Sequence, residues 1–168
     1  MKLKKLLSLA TIFVLLGNTS AYAQSKRLMY EGFRQGTSWK VYLLNKKLAQ
    51  EIKLGGETRR LYLVDLEIDN SDSGIKKRTD LVQCSTEAPF VAFKDDYSVQ
   101  TAILHYINPG GEWSGYNQDS HLQYWVICHD LWKPFDYDLK RLAKQFGYSM
   151  QLESMQVEIP YGSMDKLK

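Results

Sequence analysis

Two cysteines and four prolines in 168 residues are too few for a disulfide-dense scaffold or a proline-rich linker, and with only three histidines a histidine-based metal site would need all of them to converge. A large surplus of charge of one sign is also missing, since 22 Lys and Arg stand against 19 Asp and Glu. Nor is there a long apolar run. The most apolar stretch, Leu6 to Leu16, is uncharged and Leu-rich, but it falls short of the ~20 residues a helix needs to cross a bilayer. With 44% hydrophobic and 24% charged residues, disordered, collagen-like and multi-span classes are excluded, and the length suits one globular domain.

The short apolar run has a different meaning from its flanks. Lys2, Lys4 and Lys5 precede it, Gly17 ends it, and Ala21-Tyr22-Ala23 offers small residues at both positions read by a signal peptidase. The expected organisation is a cleaved secretory signal over residues 1–23 and a single domain over 24–168. Three of the 22 basic residues and no acid lie in that leader, which leaves 19 against 19 in the mature chain. The neutral balance removes the compositional case for nucleic acid or an anionic membrane surface as partner, and no membrane span is expected after cleavage. Export to the periplasm or beyond also favours pairing the two cysteines, Cys84 with Cys128.

Within the domain most of the signal is period two. Residues 28–33 and 39–43 read as strands, and 48–54 as a strand or one helical turn ahead of a Gly55-Gly56 hairpin. Tyr62, Val64, Leu66 and Ile68 share one face, with Asp65, Glu67 and Asp69 on the other. After a turn at 70–74, Lys76 to Cys84 returns as the partner strand, with Lys76, Lys77 and Arg78 expected opposite the acids. Residues 90–93, 99–107 and 121–129 read as further strands, the last apolar on both faces and therefore central. One helix is marked by Leu139, Leu142, Ala143 and Phe146, with Asp136 as N-cap and Gly147 as terminator. A final strand alternates Met155, Val157 and Ile159 before Pro160. The expected fold is α+β: an antiparallel sheet of about five to seven strands, one C-terminal helix packed on it, and a single disulfide.

The chemistry-bearing groups are dispersed. Residues 108–120 form a long Gly-containing loop carrying Trp113 and Tyr116, with Asn117, Asp119 and His121 close by. Loops of this length are usually functional or disordered. Two aromatic rings among polar groups suit a protein, peptide or glycan ligand, and the alternative, the commoner fate of such rings, is that they fold back over the sheet edge and anchor the loop. His105, His121, Cys128 and His129 are metal-competent. On a strand, though, neighbours face opposite ways and His121 lies about 26 Å from His129, so no metal or other cofactor is expected. Ser114 sits one place too late for a nucleophile elbow. The acids from Asp69 to Asp80 match a calcium loop only in part, and a hairpin turn explains them. The leading expectation is a non-catalytic binding domain. An exported hydrolase with His121 or His129 as base, or a structural subunit of an envelope assembly, are the alternatives.

The placing of Arg60-Leu61-Tyr62 at the head of a long strand, Cys84 at a strand end and Cys128 near the end of the core resembles the surface-adhesin protein E family over residues 59–128. That family's usual tryptophan is replaced here by Tyr62, and no lipid-anchoring cysteine follows the leader. The resemblance implies a curved antiparallel sheet with a helix, and adhesion to a surface ligand.

Overall fold

A computed structural model describes residues 26–111 and 117–167, so the expected leader, residues 1–23, and residues Trp113 and Tyr116 lie outside the described residues. Seven strands form one antiparallel sheet in chain order: β1 Arg27–Arg34, β2 Thr37–Leu54, β3 Glu57–Asn70, β4 Gly74–Cys84, β5 Phe90–Lys94, β6 Thr101–Tyr106 and β7 Met155–Pro160. Each of the first three hairpins turns where the chain offers glycine at positive φ, with Gly36, Gly55, Gly56 and Gly74 all in that region. Two helices follow β6: α1 Gln118–His129 and α2 Leu139–Gln145. Short 3₁₀ turns cover Pro134–Asp136 and Tyr161–Leu167.

The sheet is apolar on both faces. Tyr62, Val64, Leu66, Val82 and Val91 meet Leu122, Trp125 and Val126 of α1 on one side. On the other, Leu61, Leu81, Ala92, Ala102 and Leu104 pack with Met164 from the C-terminal 3₁₀ turn. Because side chains alternate along a strand, β3 feeds both layers at once. Cys84, at the end of β4, is bonded to Cys128 in the last turn of α1, with Cα atoms 5.4 Å apart. The expected disulfide is therefore present, and it ties the central helix to the sheet.

Three local expectations need correction. Residues 121–129 are helical rather than a strand, because α1 is enclosed on all sides: every residue from Ser120 to Ile127 is buried. A helix covered all round shows no amphipathic period, and its apolar run reads like a central strand. The helix on the sheet is therefore α1 from mid-chain, and α2 is a second, shorter one. The N-cap of α2 is Asp138, whose carboxylate accepts from Arg141 N–H at 3.0 Å, while Asp136 ends the preceding 3₁₀ turn opened by Pro134. The charge ladder between β3 and β4 is met at one position only, Glu67 opposite Lys77. Asp65 faces Thr79 and accepts from its hydroxyl at 2.7 Å, Asp69 faces Ile75, and Glu67 takes its ion pair from Lys26 at 2.7 Å.

Candidate functional site

The β4–β5 ladder has only three pairs, Leu81 with Ala92, Val82 with Val91 and Gln83 with Phe90. Toward its other end β4 runs on through Asp80 to Gly74 while β5 ends at Lys94 and turns, so the two strands part. Between them lies a cleft of about 430 Å3 lined by Lys76, Lys77 and Arg78 of β4 and by Lys94 and the loop from Asp95 to Val99. The loop is held by its own bonds: Asp95 N–H donates to Thr101 O at 3.1 Å, and Tyr97 N–H to Asp95 Oδ1 at 3.0 Å. That leaves the Tyr97 side chain standing in solvent, 100% exposed, with Val99 at 76%.

Behind the cleft sits a buried ion pair. Arg78 donates from Nε to Asp80 Oδ1 at 2.7 Å and from Nη2 to Oδ2 at 3.0 Å, and Gln123 of α1 donates to the same Oδ2 at 3.0 Å. Its guanidinium also lies 4.2 Å above the Phe93 ring, bridging β4 and β5 where their ladder has ended. Burial pushes the Asp80 carboxyl above its ordinary range, and the bidentate geometry opposes that push. Arg78 is thus occupied, whereas Lys76 and Lys77 are exposed and have no ion-pair or hydrogen-bond partner among the described residues.

The residues singled out in the sequence fall elsewhere. Asn117 precedes α1, and its carbonyl lies 2.8 Å from His121 Nδ1. Asn108 N–H donates to the other ring nitrogen, Nε2, at 3.3 Å. Both nitrogens of His121 are therefore used inside the protein, which fixes it as the neutral tautomer protonated at Nδ1. Asp119, in the first turn of α1, is largely buried. Burial raises its carboxyl to about 6, against the opposing pull of the Trp39 indole N–H and of Arg78. The indole nitrogen points toward this carboxyl without closing a full hydrogen bond. Together these groups anchor the start of α1.

The histidines are core groups. His105 and His121 meet edge to face at 5.6 Å, and His129 stacks on Phe146 at 4.1 Å with Nε2 2.7 Å from the Tyr148 hydroxyl. Burial holds all three at about 4. Tyr148 lies 2.7 Å from the Tyr124 hydroxyl, which donates to Ser85 O at 3.1 Å, so a chain of side chains runs beside the disulfide. Lys46 reinforces this end of α1 by donating to Ile127 O, its ammonium 4.3 Å from the Tyr62 ring. Among the described residues, no group of three or more His, Cys, Asp or Glu is placed to hold a metal ion, and no helix is long and apolar enough to cross a membrane.

Sequence reasoning missed the cleft. The one signal for it was parity: Arg78 and Asp80 sit on the same face of β4 as Val82 and Cys84, an ion pair in a core stripe. No family model, curated protein or solved structure matches the chain.

Proposed function

We propose that the chain is an exported, non-catalytic recognition domain whose ligand binds in the cleft between β4 and β5. The observation that carries this reading is Tyr97, wholly exposed on a loop braced by its own hydrogen bonds and set beside Lys76 and Lys77. An exposed aromatic ring beside cations that have no partner among the described residues offers stacking and charge to a ligand at one place. The signal-like leader and the Cys84–Cys128 bond support export. The likeness to surface adhesins would make the ligand a surface molecule, protein or glycan. Asn117, Asp119 and His121 then act in holding α1 rather than in contact with the ligand.

Screening the mature domain against immobilised peptide and oligosaccharide arrays tests this. Binding to at least one class is expected, with the signal lost in Tyr97→Ala combined with Lys76→Ala while the melting temperature is unchanged. Silence on both arrays, or binding indifferent to those two changes, overturns it.

A further inference from the structure

The cleft is bounded by open backbone as well as by side chains. In an antiparallel sheet every second residue of an inner strand turns its N–H and C=O away from one neighbour and toward the other. Along Lys76 to Thr79 the β3 side of β4 is fully paired, but no strand of the described residues receives the opposite side, and no backbone bond crosses the cleft to the loop at 95–99. A free edge of this kind recruits another strand unless it is blocked. Proline, bulge, inward charge and edge lysines are the usual blocks, and of these only the lysines, Lys76 and Lys77, stand here uncompensated: they repel a basic strand and admit an acidic one. β4 contains no proline, and its pairing with β3 runs without a register shift from Arg60–Cys84 to Asn70–Gly74. The inward charge, Arg78, is cancelled by Asp80.

What remains is a straight edge flanked by unpaired cations. Lys76 and Lys77 project to opposite faces of the sheet, so an added strand would meet one ammonium above and one below. Lys94 lies across the cleft with its ammonium 5.5 Å from the Tyr161 ring. The acids on the rim are Asp95, which accepts from its own loop, and exposed Asp96. Once the Arg78–Asp80 pair is set aside, three lysines face two aspartates, an excess of one positive charge on the rim.

Resting on the recognition reading above, we propose that the ligand is an extended acidic peptide that adds as a strand to the open edge of β4 over Lys76–Asp80. Its backbone bonds to β4, its carboxylates meet Lys76 and Lys77, and its apolar residues lie against Tyr97 and Val99. Main-chain bonds give such a complex its affinity, and the alternating side chains its selectivity.

The test is a titration of ¹⁵N-labelled mature protein with an acetylated, amidated hexapeptide Val-Val-Glu-Glu-Val-Val, whose adjacent glutamates fall on opposite faces of an added strand as Lys76 and Lys77 do. Its backbone N-methylated copy, its valine–lysine counterpart and oligogalacturonate serve as comparisons. The acidic peptide should shift the amides of 76–80 and 95–99 and slow their hydrogen exchange. N-methylation, the lysine peptide, or the double variant Lys76→Glu with Lys77→Glu should each weaken binding by at least about tenfold. Both lysines are exposed, so an unchanged melting temperature checks that the variant is folded. Equal binding of the N-methylated peptide overturns strand addition. Oligogalacturonate shifting the cleft while the peptide does not leaves a recognition site and removes the peptide; a cleft silent to both overturns the two proposals together.

Discussion

Trp39 of β2 lies flat across Gly32 of β1, its strand partner: a Cβ built on Gly32 would stand 2.3 Å from Trp39 Cζ2. The ring occupies the space a side chain would need, and it brings the indole N–H toward Asp119 at the start of α1. One glycine thus sets how the first hairpin meets the central helix. Gly32→Ala should cost about 1–3 kcal/mol by forcing the ring off its rotamer, measured by urea unfolding. A variant as stable as the parent would mean the ring moves freely.

Asp119 is a carboxyl whose folded value, about 6, lies above its ordinary 3.8 because of burial. The protonated form is therefore favoured in the folded state, and the associated stability is present below about 3.8 and lost as pH rises through about 6. Asp119→Asn should raise stability at pH 8 by roughly 1–3 kcal/mol and leave it nearly unchanged at pH 4. Destabilisation at pH 8 would show that the carboxylate is needed.

The histidines act with the opposite sign. His105 and His121 are held at about 4 against an ordinary 6.5, so their contribution is present above 6.5 and is lost as pH falls toward 4. Each can remove on the order of 3 kcal/mol across that window, which outweighs the gain from Asp119. Chemical denaturation from pH 8 to pH 4 should show a steep fall in stability below 6.5, shallower in His121→Gln.

Glu57 draws the β4–β5 connection onto β3. Its Oε1 accepts from Ser85 Oγ at 2.7 Å, from Thr86 N–H and Oγ1 and from Glu87 N–H, while Oε2 takes Arg59 Nε at 2.7 Å. Burial opposes the charge, but these donors hold the carboxyl down at about 2. Glu57→Gln should loosen residues 85–88, read as faster amide exchange there with little change in β1 and β2. Uniform exchange across the sheet would contradict this.

Reducing Cys84–Cys128, separated by 44 positions, should lower stability by about 2–4 kcal/mol in the chain-entropy account. Unreduced mass spectrometry should find two hydrogens fewer than the free-thiol mass.

How legible these features were depended on the kind of signal each leaves. The stretch 62–69 of β3 announced itself through strict alternation, and the 55–56 and 70–74 turns through glycine, because local chemistry alone decides both. The pairing of Cys84 with Cys128 followed from there being two cysteines and a leader-like N-terminus. Helix α1 hid because a helix buried all round has no polar face to set its period. The cleft hid for a different reason: it comes from the place where a three-pair ladder stops, a property of register that neither β4 nor β5 encodes alone.

The most direct test of the cleft as recognition surface is the amide map of the domain over residues 24–168 with a bound ligand, compared with that of the Tyr97→Ala variant. The account predicts shifts confined to 76–80 and 94–99 that vanish in the variant while the rest of the spectrum is unchanged. Shifts centred on the face covered by Met164, or shifts that survive loss of Tyr97, would contradict it.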